Sequence, residues 1–248
     1  MTGQPPTTLT PTGLAVPSEA PTEAPSALPS RPALRALTVA AGAAYTVSWV
    51  VGLLVAPAST AVGSSGRQVL AGLAGHEAAA TAQYLLTEGA PAVFLAIVAL
   101  TLAGAARRTL PRAARAALAT GLSAAGISLV QCVLGVYLTG AVAPKGDAGT
   151  AGTLTGWVDH LDGVKMLVLA GLALSAAALS GPRRVLPRWL APTGWATAAA
   201  LVVSGVGYLF TIGALSAAAY LSLPLLLILV TGTGIAPHRS ERRGPATR

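Results

Sequence analysis

The sequence predicts an all-α fold. The chain reads as a polytopic membrane protein, a bundle of six transmembrane helices with both termini cytoplasmic. Three observations carry this. Charged residues make up only 10% of the 248 and apolar residues 53%, where a soluble domain carries about 25% charged residues. The uncharged residues gather into runs long enough to cross a bilayer, and the mean hydropathy is +0.67. The basic residues sit at the ends of those runs, on alternate connections. Because the runs are continuous and do not alternate every second residue, they predict helices, not barrel strands.

Residues 1–32 stand apart. They hold eight of the chain's eighteen prolines and six of its threonines. Proline lacks an amide donor, and the stretch has no apolar periodicity, so it is expected to be a disordered tail. It also lacks a basic segment followed by an apolar one, so it does not read as a signal peptide. The transmembrane domain is expected at 33–237. Its first span, 36–56, is an uncharged run between Arg35 and Pro57. "GHEAAATAQYLL", 75–86, reads either as a short amphipathic helix or as an early start of the second span. The second span is placed at 89–106, between Glu88 and the Arg107–Arg108 pair, and the third at 117–139. "KGDAGTAGTLTG" then reads as a Gly/Thr-rich loop. The fourth span is placed at 163–182. From Trp189 to Pro237 the chain carries no charge. That run is too long for one crossing and divides into 194–212 and 216–235 around a turn at Gly213. Residues 238–248 form a basic tail.

Orientation follows from the basic residues. Arg31, Arg35, Arg107, Arg108, Arg112, Arg115, Arg183, Arg184, Arg188, Arg239, Arg242, Arg243 and Arg248 fall on one side. Arg67, Lys145 and Lys165 fall on the other. The arginine-rich side is expected to be cytoplasmic, which places the chain in the plasma membrane with both termini inside. The net charge of +8 is thus a topology signal, and no nucleic-acid partner is expected. The bilayer itself is the expected partner.

No ionisable residue falls in the middle of the six expected spans. That argues against ion-coupled pumps, intramembrane proteases and helix-held haem, each of which needs such groups at depth. "HEAAA" at His76 begins like a zinc-protease motif but has Ala80 in place of the second histidine. The lone Cys132 allows neither an intramolecular disulfide nor a Cys-based metal site, and no cofactor is expected.

The spans do carry small residues at packing spacing. Ala40, Ala44, Ser48 and Gly52 form a ridge on the first helix. Such a ridge serves either packing within the bundle or docking of another membrane protein. Gln131, the one strongly polar side chain at depth, and Trp49 are candidate ligand contacts. Two patches on the non-arginine side, "HE" at 76–77 and "DHLD" at 159–162, offer a candidate metal set: His76, His160, Asp159 and Asp162. Against it stands a helix-start reading. Asp159 or Thr155 would cap the fourth helix, Asp162 would favour its positive end, and Lys165 would pair with Asp162 and snorkel.

The pattern "RALTVAAGAAYTVSWVVGLLVAP", "LDGVKM", "LPRWL" and "SLPLLL" resembles actinobacterial six-pass membrane proteins of unknown function over about residues 35–235. The resemblance implies the six-helix fold and brings no activity with it. Three functional classes follow. The first is a non-enzymatic membrane protein for packing, partner binding or sensing. The second is a membrane subunit that binds or transports a small apolar solute. The third is a metal-dependent enzyme at the outer face.

Overall fold

In the computed structural model the residues described are 31–55, 61–182 and 184–236. The basic tail expected at 238–248 lies outside them, as does the tail expected at 1–32 apart from its last two residues. Those two open the first helix. Among the described residues the fold is all-helical, with one isolated β-bridge between Ser180 and Leu186.

The helices are α1 (Arg31–Val55), α2 (Gly66–Leu73), α3 (Glu77–Tyr84), α4 (Ala90–Ala106), α5 (Pro111–Tyr137), α6 (Ala148–Ala178), α7 (Leu190–Leu209), α8 (Gly213–Ser216) and α9 (Ala219–Ile235). Six stretches of them are long and apolar enough to cross a membrane: Arg35–Val55, Glu77–Ala106, Pro111–Lys145, Ala148–Ala178, Leu190–Leu209 and Gly213–Ile235. This is the architecture of a multi-pass membrane protein. The long helices form a closed ring. α1 packs on α4, α4 on α5, α5 on α6, α6 on α7, α7 on α9, and α9 returns to α1.

Two of the crossings are longer than the apolar runs suggested, and each contains a π turn. α3 and α4 are one continuous crossing joined by a π turn at Leu85–Gly89, where the Ala90 amide reaches back to the Leu85 carbonyl. Pro91 follows. It has no amide for the Thr87 carbonyl, and the chain accommodates that missing bond with one wider turn. The second π turn, Leu138–Val142, extends α5 and stands before Pro144 in the same way.

The largest departure from expectation is α6. It begins at Ala148, within the stretch read as a loop. Asp147 caps it, accepting from the Thr150 amide at 3.0 Å and the Thr150 hydroxyl at 2.6 Å. These bonds hold the Asp147 carboxyl below the usual aspartate range. Of the glycines in that stretch, Gly152 serves close approach to α2. A Cβ on Gly66 would stand 1.8 Å from the Ala148 carbonyl oxygen, and Gly152 lies against Gly66. This lets α2 dock flat on the first turns of α6. Val69, Leu138, Val142 and Ala151 bury a small apolar cluster there. The main core lies towards the arginine-rich end, among residues such as Leu102, Leu172, Leu179, Leu190 and Leu229.

The Gly213 turn is present, but the strained residue is Thr211, at φ 53°. Pro224 lies inside α9 as expected. Glycines also set the helix spacing elsewhere. A Cβ on Gly121 would meet the Ala99 Cβ at 2.4 Å, and one on Gly163 would meet the Gly205 carbonyl at 2.9 Å.

Gly66→Ala should therefore lift α2 from α6. Its expected cost is about 1–3 kcal/mol in thermal unfolding of the detergent-solubilised protein. Gly104→Ala, where a Cβ meets nothing within 4 Å, should stay within about 0.5 kcal/mol of wild type.

Candidate functional site

Between the two apolar clusters lies a layer of polar side chains, drawn from several helices. Its centre is Lys165 of α6. The Nζ atom donates to both carboxylate oxygens of Glu88, at 2.8 and 2.9 Å. It also pairs with Asp162 Oδ1 at 2.7 Å. The side chains of Lys165 and Glu88 are 7% and 9% exposed, and that of Asp162 is 22% exposed.

Local structure explains the meeting. Lys165 and Asp162 are three residues apart on one helix and share a face. Glu88 sits in the π turn that precedes Pro91, which aims it across the bundle. Its depth follows from helix rise. Glu88 stands about 27 Å along the helix from Ala106, and Lys165 about 20 Å from Ala178. In a layer of about 30 Å counted from those arginine-side ends, Lys165 would lie about 10 Å and Glu88 about 3 Å from the far face.

The expected snorkelling of Lys165 is thus corrected. Because α6 starts fifteen residues before the expected 163, position 165 lies mid-helix, and its amine turns inward to Glu88. The expected caps are corrected for the same reason. Asp159 and Thr155 are interior to α6, and the Thr155 hydroxyl bonds the Ala151 carbonyl. Glu88, expected as a boundary, is interior too, so the second crossing carries a buried ionisable group. "GHEAAATAQYLL" is the early start of that crossing.

The surroundings extend the polar layer. Ser128 lies beside Glu88. Tyr45 of α1 is buried and close enough to Lys165 and Glu88 to feel both charges. Tyr84 and Tyr208 stand near Asp159 and Asp162. A Cβ on Gly89 would meet Cys132 Sγ at 3.1 Å, and one on Gly135 would strike the Tyr84 ring at 2.2 Å. These two glycine gaps let the second and third crossings close around the cluster.

The candidate ligand contacts are in this layer's neighbourhood. Gln131 is fully buried, and its Nε2 donates to the Val158 carbonyl of α6 at 3.1 Å. Its Oε1 has no partner among the described residues, while the indole N–H of Trp49 lies beside the Tyr45 hydroxyl. The candidate metal residues are arranged differently. Asp162 is engaged by Lys165. Asp159 Oδ2 accepts from the Gly63 amide at 3.1 Å, which ties the loop before α2 to α6. His160 is exposed, with Nδ1 2.7 Å from the Gly156 carbonyl oxygen. His76 is exposed just before α3. Among the described residues, no three His, Cys, Asp or Glu side chains are placed to hold one metal ion.

The ridge on α1 is divided. Ser48 and Gly52 are buried, and a Cβ on Gly52 would meet Thr87 Cγ2 at 2.6 Å, so this end packs within the chain. Ala44 is half-buried and Ala40 is exposed.

The Glu88–Lys165 contact had a signal in the sequence. Glu88 stood next to one apolar run and Lys165, with Asp159 and Asp162, at the same end of another. Pairing is what membrane-buried charges require. Compared with known protein families, curated proteins and solved structures, the chain matches none.

The cluster makes a stability prediction. Lys165→Met leaves two carboxylates unpaired and should cost about 3–5 kcal/mol, measured by thermal unfolding in detergent. Adding Glu88→Gln and Asp162→Asn to that variant should recover most of the loss, because the lone charges are gone. A Lys165→Met protein as stable as wild type would show that the pair holds nothing together.

Proposed function

We propose that this chain is a non-enzymatic multi-pass protein of the plasma membrane, with both termini cytoplasmic, that senses protons at the Glu88–Lys165–Asp162 cluster. The observation that carries the reading is the lysine held by two carboxylates in a water-poor layer. With all three groups ionised the cluster bears a net charge of −1. With one further proton it is neutral. A net charge in a low-dielectric layer is costly, so proton uptake there is coupled to how the helices pack. That is the requirement for a sensor built from local electrostatics.

Access supports the same reading. Asp162 is the most exposed of the three, and Asp159 lies one turn further out. On the arginine side the layer is followed by the apolar core, without a further acid or base among its buried residues. Asp162 and Asp159 give a proton a way in from one side, which fits sensing. The phenols and thiol that face the cluster, Tyr45, Tyr84, Tyr208 and Cys132, ordinarily stay neutral near pH 7. The orientation rests on the arginine asymmetry, which makes the entry side extracytoplasmic. The likeness to actinobacterial six-pass proteins belongs to this proposal and adds no activity to it.

A second reading is favoured by one observation. Gln131 Oε1 is a buried acceptor without a partner among the described residues. A spare buried acceptor suits a small, mainly apolar solute with one polar end.

Infrared difference spectroscopy on oriented proteoliposomes separates these readings. Acidifying the side that Asp159 faces should bring up one carboxylic-acid C=O band, lost in Glu88→Gln or Asp162→Asn. Acidifying the arginine side should not. A spectrum without a pH-dependent carboxyl band would sink the sensing proposal.

A further inference from the structure

One cavity lies away from the ion cluster. It is a groove of about 400 Å³ on the outside of the bundle, where α9 meets α1 and the chain enters α7. Its walls include Thr46, Trp189, Leu227, Ile228, Thr231 and Ile235. The Trp189 ring lies against Gly232, where a Cβ would meet its Cη2 atom at 2.7 Å. An indole face thus closes one end of the groove, and the absent side chain at position 232 makes room for it.

The chemistry of the walls restricts the occupant. The two hydroxyls on the groove are already committed. Thr46 and Thr231 bond each other at 2.7 Å, and Thr231 also donates to the Gly42 carbonyl at 3.1 Å. The remaining walls are mostly apolar, so the groove asks for a chain of methylenes. It runs from Ile235, at the arginine-rich end, to Leu227, about 12 Å further into the bilayer. At its mouth the charge is of one sign. Arg188, exposed, precedes Trp189, and Arg184 is exposed nearby in the sequence, with Nη1 donating to the Ala178 carbonyl. The acidic residues described, Glu77, Glu88, Asp147, Asp159 and Asp162, all lie towards the other end.

We infer that this groove binds an anionic phospholipid, with one acyl chain laid between α1 and α9 and the phosphate at Arg188 beside Trp189. An indole at the interface and a cation next to it are the pairing such a headgroup recognises. The inference is independent of the ion cluster and of the proton reading.

The test is native mass spectrometry of the full chain in detergent, given equal amounts of phosphatidylglycerol and phosphatidylethanolamine. Wild type should retain phosphatidylglycerol in preference. Arg188→Gln should reduce that preference about fivefold, the value of one interfacial cation. Ile228→Trp, which fills the groove from an exposed position, should abolish retention of both lipids. Val133→Trp, on another exposed surface, should change neither, and thermal unfolding checks that all variants are folded. Equal retention of the two lipids by wild type would overturn the proposal. So would an Ile228→Trp protein that holds phosphatidylglycerol as wild type does, or a wild-type dimer that excludes lipid from this face.

Discussion

The structure depends on one contact, the ammonium of Lys165 between the carboxylates of Glu88 and Asp162. Each of these charges alone would be costly to bury. Together they are tolerable only while the second and fourth crossings stay in register. A buried ion pair adds little net stability compared with apolar residues of the same volume. What it adds is a strong penalty for every arrangement that separates the two helices. The pair is therefore best understood as a constraint on which packing the six helices adopt.

Other features follow from that constraint. Glu88 reaches α6 because it lies in a π turn, and the π turn exists because Pro91 cannot complete the ordinary ladder. Gly135 and Gly89 admit Tyr84 and Cys132 at close range, which draws the walls in around the cluster. Below it, towards the arginines, leucines and alanines fill the bundle. Above it, α2 and the first turns of α6 form a separate apolar cap. The charges are held between two dry layers, with Asp162 and Asp159 leading to the more open one. The lipid-facing groove at α1 and α9 belongs to the opposite end. Its hydroxyls are used up within the chain and its rim is cationic.

Much of the architecture was legible in the sequence, because membrane helices are set by length and apolarity alone. The six crossings, the division near Gly213 and the proline inside the last helix all follow from those two properties. What was not legible is the effect of partners distant in sequence. A charge beside an apolar run ordinarily marks a helix end, and clustered glycines ordinarily mark a loop. Glu88 and Lys165 each satisfy their charge through the other, eleven and seventeen residues inside their helices, so neither needs an end. Gly149 and Gly152 lie within α6, and Gly152 faces α2, where glycine permits contact and not flexibility. Such tertiary compensation is invisible to any single-segment pattern. Gln131 was found from the sequence because an amide at depth is conspicuous, and its bond to the Val158 carbonyl of α6 is the kind of interhelical link such residues make. Its spare oxygen depends on which groups surround it in three dimensions, which no sequence pattern carries.

The claim that this ion pair selects the packing of the bundle is tested most directly by exchanging its charges. In an Asp162→Asn background, Glu88→Lys and Lys165→Glu would be made singly and together. The yield of monodisperse, folded protein would then be measured by size exclusion in mild detergent. Each single change places two like charges together and should abolish the folded peak, while the double exchange should restore it to near the level of the background. A double exchange no better than either single, or singles that fold normally, would contradict the account.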